Sequence, residues 1–159
     1  MSELTTAQKA DALVSYVRGP NVKGKIESLI SKYEEVKHDL GGLLEVKDEL
    51  NQLSFFLGEL QGKAKDTMGR AEIEANNAFN KEYLKQRSEV GESGRLKSVD
   101  DSKYNARLIS SEALIVGLQA DVAATDIRNY LFTCKSYRDS CVQRIPILKE
   151  EMFSSRQQV

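Results

Sequence analysis

Apolar residues recur along most of this chain at steps of three and four, the period of a helix with one buried face. The first such segment predicts a helix over about Thr6–Arg18, with Thr5 and Gln8 spaced as a capping box. Gly19 and Pro20 end it, because proline lacks the backbone donor that a continuing helix needs. Val22, Ile26, Leu29, Ile30, Tyr33, Val36 and Leu40 predict a second helix reaching about Leu40. Gly41 and Gly42 then mark either a break or a bent continuation.

From Leu43 the spacing tightens into a strict three–four alternation through Val46, Leu50, Leu53, Leu57, Leu60 and Ala64, which is a heptad seam. It thins to Thr67, Ala71, Glu74 and Ala78, with Met68, Ala75 and Phe79 as an adjacent stripe. One helix to about Ser88 is expected, roughly 70 Å long at about 1.5 Å per residue. A helix of that length belongs to a hairpin, a coiled coil or an assembly. Gly58, Gly62 and Gly69 lie within it. Each costs about 1 kcal/mol against alanine, yet the seam passes Gly58 and Gly62 without a change of phase. They are read as a small-residue face that lets a neighbouring helix or protomer approach, with a local bend at Gly62 or Gly69 as the alternative.

Residues 89–102, EVGESGRLKSVDDS, have no apolar periodicity and predict a flexible loop. Asp101 or Ser102 is expected to cap a second long helix, about Lys103–Arg144. Its stripe begins with Tyr104, Leu108, Ile115, Leu118 and Val122. It continues through Ile127, Leu131, Cys134, Tyr137, Cys141, Ile145 and Leu148. Ile115, Leu118, Val122 and Leu131 are candidates for helix or protomer packing. Pro146 predicts a kink or a short final helix, and SSRQQV a frayed tail. The expected fold is all-α: two long antiparallel helices forming a hairpin, shorter N-terminal helices, a kinked C-terminal helix, and oligomeric assembly. The expected division is an N-terminal helical pair over 1–40, a long hairpin and oligomerisation core over 41–153, and a tail over 154–159.

Composition narrows the function classes. The chain has 159 residues, 40% hydrophobic and 30% charged, with net charge −1, no tryptophan and two prolines. One helix-rich domain fits these values, and a strongly basic surface is excluded as a global property though not as a local patch. No apolar run is read as approaching the ~20 residues of a membrane span. The N-terminus lacks the basic and apolar regions of a secretory signal. Cys134 and Cys141 are seven residues apart, roughly 10 Å along a helix, too far for a disulfide; buried thiols in a reducing cytosol are expected.

Catalytic chemistry is hard to place. His38 is the lone histidine and lies between Lys37 and Asp39, as a solvated residue would. There is no phosphate-cradling Gly-rich motif, and GESG has no serine at the centre of its would-be nucleophile elbow. Glu45, Asp48 and Glu49, or Glu72 and Glu74, read as solvated helix faces, and no Glu-x-x-His pair suits a di-metal site. Neither an enzyme nor a metal or other cofactor is expected.

Basic residues remain. Lys81, Lys85, Arg87, Arg95, Lys97, Lys103 and Arg107 gather about the loop, with Tyr83 and Tyr104 among them, against five acidic residues over the same span. A solvated mixed-charge hairpin tip is one reading. The other is a single-stranded nucleic-acid contact, in which cations meet phosphates and aromatic rings stack on bases. A ring of protomers would multiply such a patch.

The run FFLGELQGKAKDTMGRAEIEANNAFNKEYLKQR, the following Gly/Ser loop, and YNARLISSEALIVGLQADVAATDIRNYLFTCKSYRDSCVQRI resemble the UvsY recombination mediators of tailed phages, over roughly residues 52–152. The shared traits are an aromatic–leucine start, a long helix containing Ala-Glu, basic residues before a Gly-rich loop, and a second long helix. The resemblance implies a ring-shaped homo-oligomer in the host bacterial cytoplasm that binds single-stranded DNA and helps load a RecA-like recombinase onto DNA covered by single-strand-binding protein. Lys85-Gln86-Arg87 matches in type the family's Lys-x-Arg pair, at a different distance from the glycine loop. The helices through Leu40 are additional to the family core, and Pro146 stands where the family bends at a glycine. On this reading Lys81, Lys85, Arg87, Arg95 and Lys97 neutralise phosphates, Lys103 and Arg107 extend the patch, and Tyr83 stacks. The alternative is a coiled-coil structural protein, a prefoldin-like chaperone or a virion assembly component that uses the heptad seam and binds no DNA.

Overall fold

A computed structural model describes residues 4–89 and 96–156 of the chain, with side chains described to residue 154. The protein is all-α, with no β-strand among the described residues. Helix α1 spans Thr6–Arg18. Its predicted capping box is formed: the Gln8 amide donates to Thr5 Oγ1 at 3.2 Å, and the Thr5 amide donates to Gln8 Oε1 at 3.0 Å. Pro20–Gly24 form a single π-helical turn, after which α2 runs over Lys25–Val36.

Helix α2 therefore stops four residues short of the expected Leu40, and the break falls before the glycine pair. Helix α3 spans Leu40–Ser88. Asp39 caps it, its Oδ2 accepting from the Gly42 amide at 2.7 Å. A Cβ on Gly42 would stand 2.5 Å from Val36 Cβ. The second glycine is thus required by the tight passage from α2 into α3.

Helix α4 spans Val99–Arg156. Ser98, rather than Asp101 or Ser102, caps it: Ser98 Oγ accepts from the Asp101 amide at 3.0 Å and donates to Asp101 Oδ2 at 2.7 Å. The helix continues through Pro146, so of the two expectations there, a kink or a short final helix, the separate helix is not formed. Ser154 is still helical, and of the expected tail only 157–159 lie outside the described residues, as does the core of the predicted loop, 90–95.

Packing divides the chain into two compact units, Ser15–Gly62 with Ala124–Val159 and Met1–Val14 with Lys63–Ala123. They do not follow the sequential division into 1–40 and 41–153, because each draws on both long helices.

The first of these, the aliphatic unit, has a core of large side chains. Leu43, Val46, Leu57, Ile127, Val17 and Val22 are fully buried. The predicted heptad seam is its spine, and each such side chain contributes roughly 1.5–3 kcal/mol through burial. Tyr33 meets Tyr137 edge-on with ring centres 5.2 Å apart. Lys32 Nζ reaches Glu49 at 2.7 Å and Glu45 at 3.4 Å, and Arg18 reaches Asp126 at 2.6 Å. The Arg144 guanidinium donates to the Lys37 carbonyl at the end of α2 and to His38 Nδ1. His38 is exposed, as expected, but serves as an acceptor for this clasp. Cys134 and Cys141 are buried and free, and burial raises both thiols above their ordinary range.

The second, the small-residue unit, is built differently. Its buried positions include Ala64, Ala71 and Ala75 of α3 and Ala106, Ser110 and Ala120 of α4. A Cβ on Gly117 would stand 3.7 Å from Ala71 Cβ. Small side chains let α3 and α4 approach closely here, which replaces volume-filling by direct backbone proximity. The Ser110 hydroxyl donates to the Arg107 carbonyl, so burial leaves it satisfied.

Candidate functional site

Burying a row of small residues on one side of α4 turns its large residues outward. Tyr104, Leu108, Ser111, Ile115, Leu118 and Val122 follow steps of four and three. At about 100° per residue they form a row half a turn away from Ala106, Ser110 and Ala120. Leu108 is 61% exposed, Ile115 55% and Leu118 65%. Leu114 adds exposed apolar surface beside the row, Ile109 is exposed on another side of α4, and on α3 Gly69, Ile73 and Leu84 share an outward face. Scattered exposed leucines are ordinary; a continuous row of them on a helix marks a surface that something covers.

The outward row changes one expectation. An 18-residue stretch of α4 reaches a mean hydropathy of 1.3 with 22% of it buried, so by length and composition this helix is apolar enough to cross a membrane. Glu112 and Asp121 interrupt its apolar surface.

The packing candidates separate. Ile115, Leu118 and Val122 lie on the outward row, whereas Leu131 is half-buried in the aliphatic unit. A Cβ on Gly58, Gly62 or Gly69 would meet nothing within 4 Å. Hence no helix of this chain approaches α3 at these glycines among the described residues; the close approach is made at Gly117 and Ala71 instead. Helix α3 is continuous through all three glycines. The signal for the real contact was in the sequence: alanine, serine and glycine at three–four spacing opposite the apolar stripe of α4.

The basic candidates separate too. Lys97 Nζ is bound by Gln86 Oε1 and Glu89 Oε2, both at 2.6 Å, and Arg87 Nη1 donates to the Lys97 carbonyl at 2.6 Å. These two cations tie the end of α3 to the approach to α4. The Lys97 ammonium holds the Glu89 carboxyl below its ordinary range through a hydrogen bond and its charge. Lys85 is exposed and 3.9 Å from Glu82. Lys81, Lys103 and Arg107 are exposed and make no ion pair among the described residues. Tyr83 is half-buried and stacks on Phe79 with ring centres 6.0 Å apart, which covers one of its faces. Tyr104 is exposed. Arg95 lies outside the described residues.

The surface grooves are open. A groove in the small-residue unit is lined by Lys9, Arg70, Glu74, Glu112 and Val116, and by Thr6, whose hydroxyl donates to Glu74. Among the described residues no three His, Cys, Asp or Glu side chains gather closely enough to hold a metal ion. No protein-family model, curated protein or solved structure matches this chain.

Proposed function

We propose that this protein is a non-catalytic helical assembly protein, in which α3 and α4 form an antiparallel hairpin and copies of the chain associate through the outward row of α4. The observation that carries this reading is the placement of Leu108, Ile115, Leu118 and Val122 in water while alanines occupy the interior of the same unit. Covering the row would recover roughly 1.5–3 kcal/mol for each large side chain fully buried. The three–four spacing is that of a helix-to-helix seam. Both buried, unpaired thiols support a reducing, cytoplasmic setting. Sedimentation of the full chain across the micromolar range tests the reading. A mass above that of one chain, lost in Leu118→Lys while helicity by circular dichroism is kept, is expected. A monomer at every concentration would sink the assembly reading.

A second reading is favoured by Lys81, Lys85, Lys103 and Arg107, which remain exposed, as does Tyr104. They suit a single-stranded DNA backbone, and several copies in a ring would add their weak patches. This is the mediator activity that the resemblance implies, with a RecA-like recombinase and single-strand-binding protein as partners. Fluorescence anisotropy with a labelled oligonucleotide should show binding that falls steeply with salt and is weakened in Lys81→Ala/Lys103→Ala. Lack of binding at low salt would eliminate this reading.

A further inference from the structure

Resting on the assembly reading, we infer that the occupant of the α4 row is a second copy of the chain running antiparallel to the first, centred near Ala113. A row that spans 104–122 covers roughly 27 Å of helix, and its flanks bring a charge pair and an apolar pair together in that direction only. Antiparallel layers place Leu108 against Leu118 of the second copy, Tyr104 against Val122, and Ser111 against Ile115. One flank of the row is Arg107, Leu114 and Asp121; the other is Asn105, Glu112 and Gln119. In antiparallel register Arg107 meets Asp121 of the second copy at both ends, and Leu114 meets Leu114 at the centre.

Arg107 and Asp121 are both exposed and make no ion pair among the described residues, and Leu114 is exposed in the single chain. The cost is Glu112 beside Glu112, on the flank where each also borders the groove that Lys9 and Arg70 line. Parallel register would pair Arg107 with Glu112. It would leave Leu114 against Gln119 and give Asp121 no cation, since its neighbour there is Asp126 of the second copy, whose charge Arg18 already holds, so it wastes the apolar flank. The narrowness of the row, with charges on both flanks, suits a helix better than a bilayer. Such a seam buries on the order of 1,000 Å², the lower edge for a specific interface, so the dimer should depend on concentration in the micromolar range.

Variants Leu108→Cys and Leu118→Cys, each adding one exposed cysteine to the two buried thiols of the full chain, test the direction, because a disulfide needs Cα atoms within about 7 Å. Neither variant alone should link under mild oxidation, since equal positions then lie roughly 15 Å apart along the axis. Mixed together they should give a linked dimer on a non-reducing gel. Efficient linking of each variant with itself would overturn the antiparallel register while keeping the assembly reading; a monomeric wild-type chain would remove both. Charge exchange gives an independent readout. Arg107→Glu should weaken association about tenfold, and Arg107→Glu/Asp121→Arg should restore it. Rescue by Arg107→Glu/Glu112→Arg instead would assign parallel register. Co-sedimentation of the wild-type chain with phosphatidylcholine–phosphatidylglycerol vesicles, abolished by Leu118→Lys, would give the row to a membrane surface and overturn the proposal.

Discussion

The two units solve the same packing problem in opposite ways. In the aliphatic unit the α3 seam from Leu43 to Leu60 faces inward and is buried along its length, with Leu44 and Phe55 outside it. In the small-residue unit the inward positions of α3 and α4 are mostly alanine, serine and glycine, and the leucines and isoleucines of these two helices face water, Leu13 of α1 being buried. A helix pair held by small residues gains close approach but buries little apolar area, so it relies less on the hydrophobic effect. The same chain thus carries a unit stabilised from within and one whose large side chains are unspent.

The sharpest way to break this comparison is to truncate one leucine in each unit. Leu57→Ala removes a fully buried side chain and should destabilise the fold by about 2–5 kcal/mol. Leu118→Ala, measured on dilute chain by urea unfolding, should stay within about 0.5 kcal/mol of wild type, as exposed substitutions do. Equal losses would show that the small-residue unit depends on its outward row even in a single chain. Next in size is Ala71→Leu. Its side chain would enter the contact with Gly117 and should cost about 1–3 kcal/mol through overpacking, whereas a neutral result would mean that the two helices are not closely packed there.

Gly62→Ala should stabilise the chain by up to about 1 kcal/mol, because helix propensity improves and a Cβ meets nothing within 4 Å. Loss of assembly in that stabilised variant would identify the α3 glycines as a further protomer contact.

The smallest effect concerns the tie between Glu89 and Lys97. A carboxyl held below its ordinary range supports the folded arrangement while ionised. Its contribution is therefore present above the ordinary carboxylate range and is lost as pH falls through the lowered value. Glu89→Gln should be slightly less stable than wild type at neutral pH and indistinguishable from it in strong acid. A difference that persists in acid would mean that the hydrogen bond, rather than the charge, holds the tie.

Much of this was legible in the residues. The capping box of α1, the heptad seam, the extent of α3 to Ser88 and the free thiols follow from local spacing, because helix periodicity and capping are decided within a few residues. The end of α2 and the start of α4 were misjudged by a few residues each. There, short side-chain caps at Asp39 and Ser98 compete with nearby residues of similar chemistry, and only the folded chain shows which one engages. Pro146 illustrates another limit: one missing backbone donor does not end a helix that its neighbours continue to hold.

By itself the sequence determined an all-α chain, two long helices, and which rows of residues share a helix face. Tertiary structure alone decided which row of α4 turns inward. Both its leucine row and its alanine row have helical period, and periodicity cannot rank them. Close approach at Ala71 and Gly117 selects the small row, and the large row is left outside as a consequence. The same physics divided the basic residues: Arg87 and Lys97 found partners within hydrogen-bond reach, and Lys81, Lys103 and Arg107 found none among the described residues. Charge type is written in the sequence, but whether a charge is free is settled by what folds against it.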